Sequence, residues 1–338
     1  MSDKLTYKLR SGKPNKSWFF LKGMLGTLVP DCFYRARLES ILKKASLRED
    51  YDYCLERANY YNKVCAPFNL PKEDLREYGL SIFHYVGKLG GFKRDMFHTA
   101  YYLDQHDVTR FFDPNLRWSF LPGDVYFTPS YATVVKSRLL TEDNTNSVLL
   151  KLDKLRHFLF VDDPVPFREK QDKVIFRGKI RQSRLRTTFL EQYFTHPLCN
   201  CGVVGRNEGC PEEWMQPKKT IREHLDYKFI MAIEGNDVAS NLKWVMSSNS
   251  LAVMPRPTCE TWFMEGKLEG GKHYVEVRDD FADLEEKLEH YILHPEEAEE
   301  IIRQAHAFVR QFRDPRREEL IQLLVMDKYL RLSQQEKQ

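Results

Sequence analysis

Between Lys173 and Val277 short apolar runs alternate with stretches of helical spacing, and this alternation restricts the fold more than any other feature of the chain. "KVIF" reads as a strand, and "SRLRTTFLEQYF" repeats Leu185, Phe189 and Tyr193 every four residues as a helix face does. "CGVVG" is a short strand and "YKFIMAI" a buried one. Val238, Leu242, Val245 and Met246 then fall at i, i+4, i+7 and i+8, which predicts a helix starting near Asp237, and "SLAVMP" and "HYVEV" follow as strands. Strands separated regularly by helices cannot pair as hairpins; they form a parallel sheet with crossover helices. After Asp279 three segments, "DDFADLEEKLEHYI", "PEEAEEIIRQAHAFVRQF" and "PRREELIQLLVMDKYLRL", carry apolar residues three or four apart and predict a purely helical end.

The first half has a different texture. Residues 35–64 are charged and helical in pattern, whereas "SIFHYVG", "TAYYLD", "DVYFTP" and "SVLLKL" are rich in aromatic and β-branched residues and bounded by Gly, Pro, Asp and Asn, as strands are. The two prolines and the charge run of "VDDPVPFREKQDK" (161–173) mark an interdomain crossing. A chain of 338 residues exceeds one ordinary core. The expectation is therefore an α/β protein of two domains, 1–165 and 166–338, with a cleft between them.

Charge and cysteine content remove several function classes. The 52 basic and 49 acidic residues are too nearly balanced for a dedicated nucleic-acid binder, so any basic site must be local. Seven scattered cysteines without a C-x-x-C pair argue against a zinc ribbon or a disulfide framework and for a reducing compartment. No run approaches the roughly 18 apolar residues of a membrane span, and no cleavable leader is evident, which reads as a soluble protein. Lys4, Lys8, Arg10, Lys13 and Lys16 precede Trp18, Phe19, Phe20 and Leu21, a composition suited to an anionic lipid surface or to packing on its own domain.

In open parallel sheets ligands bind beyond the carboxyl ends of the strands. Three loops occupy that place. In "FRGKIRQSR" (176–184) Gly178 permits tight geometry, Arg177, Lys179, Arg181 and Arg184 supply cations, and a helix capped by Ser183 offers N–H groups to an anion; the alternative is a solvated basic loop. In "EGNDVASNLKW" (234–244) Gly235 turns the chain, Asn236 or Asp237 caps the helix, and Ser240, Asn241 and Lys243 can meet a diphosphate. In "RPTCETWFMEGK" (256–267) Glu260 suits ribose hydroxyls, since a carboxylate accepts two donors.

Neither G-x-x-x-x-G-K-[ST] nor G-x-G-x-x-G occurs, which disfavours a Walker-type nucleotidase and a dinucleotide enzyme. The Asp50-Tyr51-Asp52 string follows a charged helical stretch and reads as surface. "LDQHD" carries Asp104, His106 and Asp107, but no second ligand cluster supports a metal there.

Taken together, "FRG", "EGNDVASNLKW", "SSNSLAVMP", "ETWFME" and "HYVEVRDDFADLEEKL" resemble glycosyltransferase family 90, most densely over 173–290. Upstream, "GDVYFTP", "VVKSR" and "KLDKLRHFLFVDD" resemble its bacterial lipopolysaccharide-modifying branch. The resemblance implies a GT-B arrangement of two facing Rossmann-like domains, a UDP-sugar donor held mainly by the C-terminal domain, and inversion at the anomeric carbon with no cofactor and no required metal. It places Arg177 and Gly178 at the nucleotide site and Ser240, Asn241 and Lys243 in the diphosphate turn, where the eukaryotic branch often has arginine. It also implies a general base, an aspartate at the end of an N-terminal-domain strand. "AYYLDQHD" offers Asp104 first and Asp107 second, although the family's Tyr-Pro after the aspartate is replaced by Gln-His; Asp124 in "PGDVYF" is the third candidate.

The function expected is hexosyl transfer, with glucose the sugar implied by the resemblance, from a UDP-sugar to a lipopolysaccharide core or related glycan. The site would be on the cytoplasmic side of the inner membrane with peripheral contact to anionic lipid and no nucleic-acid partner. A protein-serine acceptor, or a non-catalytic module holding RNA or anionic lipid, are the competing readings.

Overall fold

The computed structural model describes residues 12, 13, 15–78, 83–180, 183–205 and 209–333. The chain divides into two compact units. Of the described residues, one comprises those within 156–258 and 265–311 together with 12 and 13; the other comprises those within 15–155, 259–264 and 312–333. The boundary therefore falls at 155/156, and six residues after the tenth strand and the last helix belong with the first half of the chain.

The unit built on 156–258 and 265–311 carries a five-stranded sheet, β7 (Gln171–Gly178), β8 (Cys199–Val203), β9 (Tyr227–Met231), β10 (Leu251–Met254) and β12 (Val275–Glu276), in the order β12-β10-β9-β7-β8. Every pairing in it is parallel. The strands are continuous apolar runs because both faces are covered, as a parallel sheet requires. Val174, Phe176, Val203, Phe229, Met231, Val253 and Val275 form its core with Phe189, Leu190 and Tyr193 of α6 (Arg184–Tyr193) and Leu284, Leu288, Ile301 and Ile302 of α9 (Leu284–Leu293) and α10 (Pro295–Arg310). Ser183 caps α6 by accepting from the Arg186 N–H at 3.4 Å, as its sequence predicts.

The segment after β9 departs from expectation. The α-helix is one turn, α8 (Leu242–Val245), and 235–241 form turns instead of its first two turns. The polar residues explain this: the Gly235 N–H donates to the Asp237 carbonyl at 2.9 Å, and the Asn241 amide donates to the Met231 carbonyl at 2.9 Å. Such local bonds compete with helical ones, which is why Asn, Asp and Ser favour turns.

The other unit holds a mixed sheet in the order β1-β2-β3-β4-β6: β1 (Leu75–Tyr78), β2 (Phe83–Lys88), β3 (Arg117–Leu121), β4 (Thr133–Val135) and β6 (Ser147–Leu149). β1, β2 and β3 pair antiparallel and β3, β4 and β6 parallel, so this sheet is not wholly Rossmann-like. A short ribbon joins β5 (Ser137–Leu139) to β11 (Cys259–Thr261). Helices α1 (Lys16–Gly26), α2 (Asp31–Ala45), α3 (Tyr51–Tyr61), α4 (Thr99–Thr109), the single turn α5 (Lys154–His157) and α11 (Pro315–Leu332) complete it.

Two strand expectations fail here. "TAYYLD" lies in helix α4, whose buried Tyr101, Asp104, Gln105 and Val108 are spaced i, i+3, i+4, i+7; six residues rich in tyrosine are too few to separate the two periods. "DVYFTP" is irregular chain after β3, with Val125 buried and Tyr126 half exposed.

The interior of this unit is polar as well as apolar. Glu318 of α11, 2% exposed, accepts from Arg57 Nη1 at 2.7 Å, Lys151 Nζ at 2.8 Å and Trp262 Nε1 at 2.7 Å. Tyr61 stacks on Trp262 with ring centroids 3.8 Å apart and donates to its carbonyl. All seven cysteines are free thiols. Among the described residues no helix is long and apolar enough to cross a membrane.

Candidate active site

The carboxyl ends of β7, β9 and β10 converge on one set of loops. Leu185 from α6, Ala232 and Glu234 after β9, Val238, Ala239 and Leu242, and Met254 to Pro257 after β10 line a narrow groove, with Glu265 also on its wall. Its position is the one at which open parallel sheets bind ligands.

Three polar side chains tie the loops together. Arg186 donates from Nε and Nη2 to the Ile233 carbonyl, at 3.2 and 2.8 Å, and from Nη1 to the Lys179 carbonyl at 2.7 Å. The Ser183 hydroxyl donates to the Glu234 carbonyl at 3.0 Å. The Glu234 carboxylate accepts from the Thr258 N–H and hydroxyl at 3.1 and 2.5 Å. Gly235 sits directly against Arg186: a Cβ there would lie 3.1–3.3 Å from the guanidinium atoms. The glycine thus makes room for a cation beside the turn.

The expected residues divide into three groups. Gly178 ends β7, Arg184 is exposed at the first turn of α6, Asn236 is exposed on the turn, and Ser240 and Asn241 are half-buried just before α8; these and Gly235 lie on or beside the segments that follow β7 and β9, and none is among the residues lining the groove. Arg177 and Lys243 are already engaged. Arg177 donates to the carbonyls of Phe176, Asn200 and Pro217 and to Asn200 Oδ1, which fixes β7 to the edge strand; burial pulls its pKa down. Lys243 is fully buried and forms an ion pair with Glu265. Glu260 lies in the other unit, 1% exposed, bound by Arg138 at 2.7–2.8 Å and by the Tyr60 hydroxyl. It is not among the residues that line the groove. Arg181 lies outside the described residues.

The aspartates expected to serve as base also separate. Asp104 is mid-helix and 1% exposed; Oδ2 accepts from the Lys154 N–H at 3.0 Å while Oδ1 is left without a hydrogen bond. Burial, opposed by the Lys154 charge, pushes its pKa up to about 7. Asp107 is on the outer face of the same helix, paired with Lys154 Nζ at 3.0 Å. Neither stands at a strand end. Asp124 does: it follows the carboxyl end of β3 by three residues, at the parallel part of the sheet. Its side chain is 23% exposed and accepts from the buried Lys136 Nζ at 2.5 Å. Among the described residues no group of three or more His, Cys, Asp or Glu gathers as metal ligands do.

Arg186, Glu234, Arg256 and Glu265 were not singled out from sequence. Arg186 stands two residues after a noted arginine; Glu265 meets Lys243 across 22 residues, a pairing no local spacing announces.

Residues 148–328 match the family model described as "Glycosyl transferase family 90". The chain belongs to that family, and the protein is a glycosyltransferase. It is 41% identical over 276 residues to the O-glucosyltransferase LpsA of Dichelobacter nodosus, an alignment covering 82% of each chain. It is 27% identical over 165 residues to protein O-glucosyltransferase 3 of Homo sapiens, covering 47% of this chain and 32% of the human one. The bacterial relative thus shares both units, in keeping with the branch that the upstream segments resemble.

Proposed function

We propose that the protein is an inverting glucosyltransferase that moves glucose from UDP-glucose to a hydroxyl of a lipopolysaccharide core or related glycan. The observation that carries the donor side is the groove at the carboxyl ends of β9 and β10, with Glu234, Val238 and Arg256 in its wall, and the adjoining Gly235 turn, which packs against Arg186. Turn N–H groups and the Ser240 hydroxyl suit the diphosphate oxygens and the exposed Arg184 offers a forked donor, while Arg186, whose Nε, Nη1 and Nη2 donate to the Ile233 and Lys179 carbonyls, holds the turn. Lys243 contributes from within, holding the turn through Glu265. Glucose is favoured because both relatives are named as O-glucosyltransferases. A glycan acceptor is favoured over a protein serine because the bacterial relative matches the N-terminal unit as well, whereas the human one covers under half of the chain.

In the proposed step the acceptor hydroxyl loses its proton to the Asp124 carboxylate, its oxygen bonds the anomeric carbon, and the bond from that carbon to the diphosphate oxygen breaks, with UDP leaving and the configuration inverting. Asp124 is preferred to Asp104 because a base must reach the acceptor, and Asp104 is closed off inside α4. Negative charge growing on the leaving diphosphate is met by the loop cations, an electrostatic role that a metal ion fills in other transferases. The GT-B arrangement, independence of metal and action at the cytoplasmic face of the inner membrane belong to this reading.

The test is acceptor-free hydrolysis of a UDP-sugar panel with and without chelator, since it needs no acceptor. UDP-glucose should be hydrolysed above the other sugars, chelator should leave the rate unchanged, and Asp124→Asn should abolish transfer to an isolated lipopolysaccharide acceptor while Asp104→Asn retains it. Turnover of no UDP-sugar, or transfer surviving in Asp124→Asn, contradicts the proposal.

A further inference from the structure

Among the described residues, large apolar side chains left in water are concentrated in one short stretch of the chain. Trp18, Leu21, Leu25, Leu28, Val29 and Phe33 are all exposed, Trp18 by 62% and Leu28 by 75%, within sixteen residues; the other large exposed apolar residues, Leu47, Tyr126, Met215 and Leu293, are scattered. Isolated exposed residues need no explanation, but a cluster marks an interaction surface.

The exposure is built in by packing. Helix α1 is capped by Asn15 and lies against α4 through Gly23, where a Cβ would come within 2.6 Å of Leu103 Cδ1. That contact fixes which face is buried. Trp18, Leu21 and Leu25, at i, i+3 and i+7, are consequently turned outward, with Lys22 on the same side. On α2 the outward row is Phe33, Arg37, Ser40 and Lys44, at i, i+4, i+7 and i+11, all exposed and with no carboxylate among them. The only acidic residues of α2 are Asp31 and Glu39; Asp31 is taken up by Arg110 and His106. Over residues 1–48 the sequence has eleven Lys and Arg against three Asp and Glu, in a chain that is otherwise nearly balanced.

We propose that the α1–α2 segment docks on a membrane, inserting Trp18, Leu21, Leu25 and Leu28 at the headgroup boundary of an anionic bilayer, with Lys22 and the α2 cations Arg37 and Lys44 neutralising lipid phosphates. Exposed apolar rows accompanied by cations, with Glu39 the one acidic residue of α2 left exposed, have the chemistry of interfacial helices, and indole settles at headgroup depth. A second copy of the chain would bring like charges together across the same face. The inference does not depend on the donor or the acceptor.

The test is sedimentation of the full chain with phosphatidylcholine vesicles, with and without phosphatidylglycerol, alongside Trp18 fluorescence and iodide quenching, using Trp18→Phe to identify the signal. Binding should require the anionic lipid, fall with salt and blue-shift the Trp18 emission. Lys22→Gln should weaken partition about fivefold, the effect of one cation near an anionic surface. Trp18→Ser with Leu21→Ser should weaken it more than tenfold, at unchanged thermal midpoint and unchanged hydrolysis of soluble donor. Absence of binding to anionic vesicles, or binding indifferent to both variants, overturns the proposal; so does protection of Trp18 from iodide without vesicles, which would show that the face is covered by the protein itself or by a second copy.

Discussion

Removing the charge of Lys243 should show whether this lysine holds the donor loop in place. Lys243 and Glu265 are 0% and 1% exposed and form an ion pair, so Lys243→Met leaves a carboxylate buried opposite a thioether. Breaking a buried pair from one side costs about 3–5 kcal/mol, because the remaining ion keeps its desolvation penalty and loses its partner. For a chain of 338 residues, with an unfolding entropy of about 2.1 cal/mol/K per residue, that corresponds to a fall of roughly 4–7 °C in the midpoint of thermal unfolding. The double variant Lys243→Met with Glu265→Leu removes both ions, and such replacements are commonly neutral or stabilising. The assay is a double-mutant cycle by thermal and urea unfolding, with UDP affinity measured on each protein. The expected pattern is a large loss in Lys243→Met, recovery of most of it in the double variant, and UDP affinity that follows the integrity of the turn. A loss below about 1 kcal/mol in Lys243→Met, or strictly additive costs in the cycle, would refute the claim that the pair clamps this loop.

Other outcomes follow from single sites. Asp104 has its pKa raised from an ordinary carboxylate value to about 7, so the folded state holds its proton more tightly than the unfolded chain. Its contribution to stability is full below the unfolded pKa and is lost as pH rises through the window up to about 7. Asp104→Asn should therefore flatten the pH dependence of the unfolding free energy in that window and stabilise the protein by a few kcal/mol above it, measured by denaturation at several pH values. Gly235→Ala pushes a methyl group to within 3.1–3.3 Å of the Arg186 guanidinium, which three hydrogen bonds hold; UDP affinity should fall with a stability cost of only ~1 kcal/mol. Glu318→Gln halves the acceptor strength at a site that serves Arg57, Lys151 and Trp262, and should cost about 3 kcal/mol or more by urea denaturation.

The parallel sheet was readable because its strands are buried on both faces and appear as uninterrupted apolar runs, "YKFIMAI" most clearly. The last three helices were readable for the opposite reason, their long periodic faces. What escaped is non-local. "RWSFL" and "TVV", which form β3 and β4, are short runs whose strand state is fixed by neighbours along the sheet. "TAYYLD" has strand composition and helical burial, so packing against α1 overrides propensity. The loops after β7, β9 and β10 are legible as loops, but the contacts within them are not. Arg186 bonds to carbonyls 47 residues on, and Glu260 is claimed by Arg138 122 residues back. A carboxylate in a family motif looks the same in sequence whether it faces a ribose or a buried guanidinium.

The most direct test of the central claim, that the β7, β9 and β10 loops hold a UDP-sugar, is calorimetric titration of UDP into the full chain in the absence of divalent metal, compared with Arg186→Met. The account predicts saturable binding at submillimolar UDP to the native protein, with about 2.7 kcal/mol of added stability at a hundredfold excess over Kd, and binding at least tenfold weaker in the variant. No saturable heat with millimolar UDP, or equal affinity in both proteins, would contradict it.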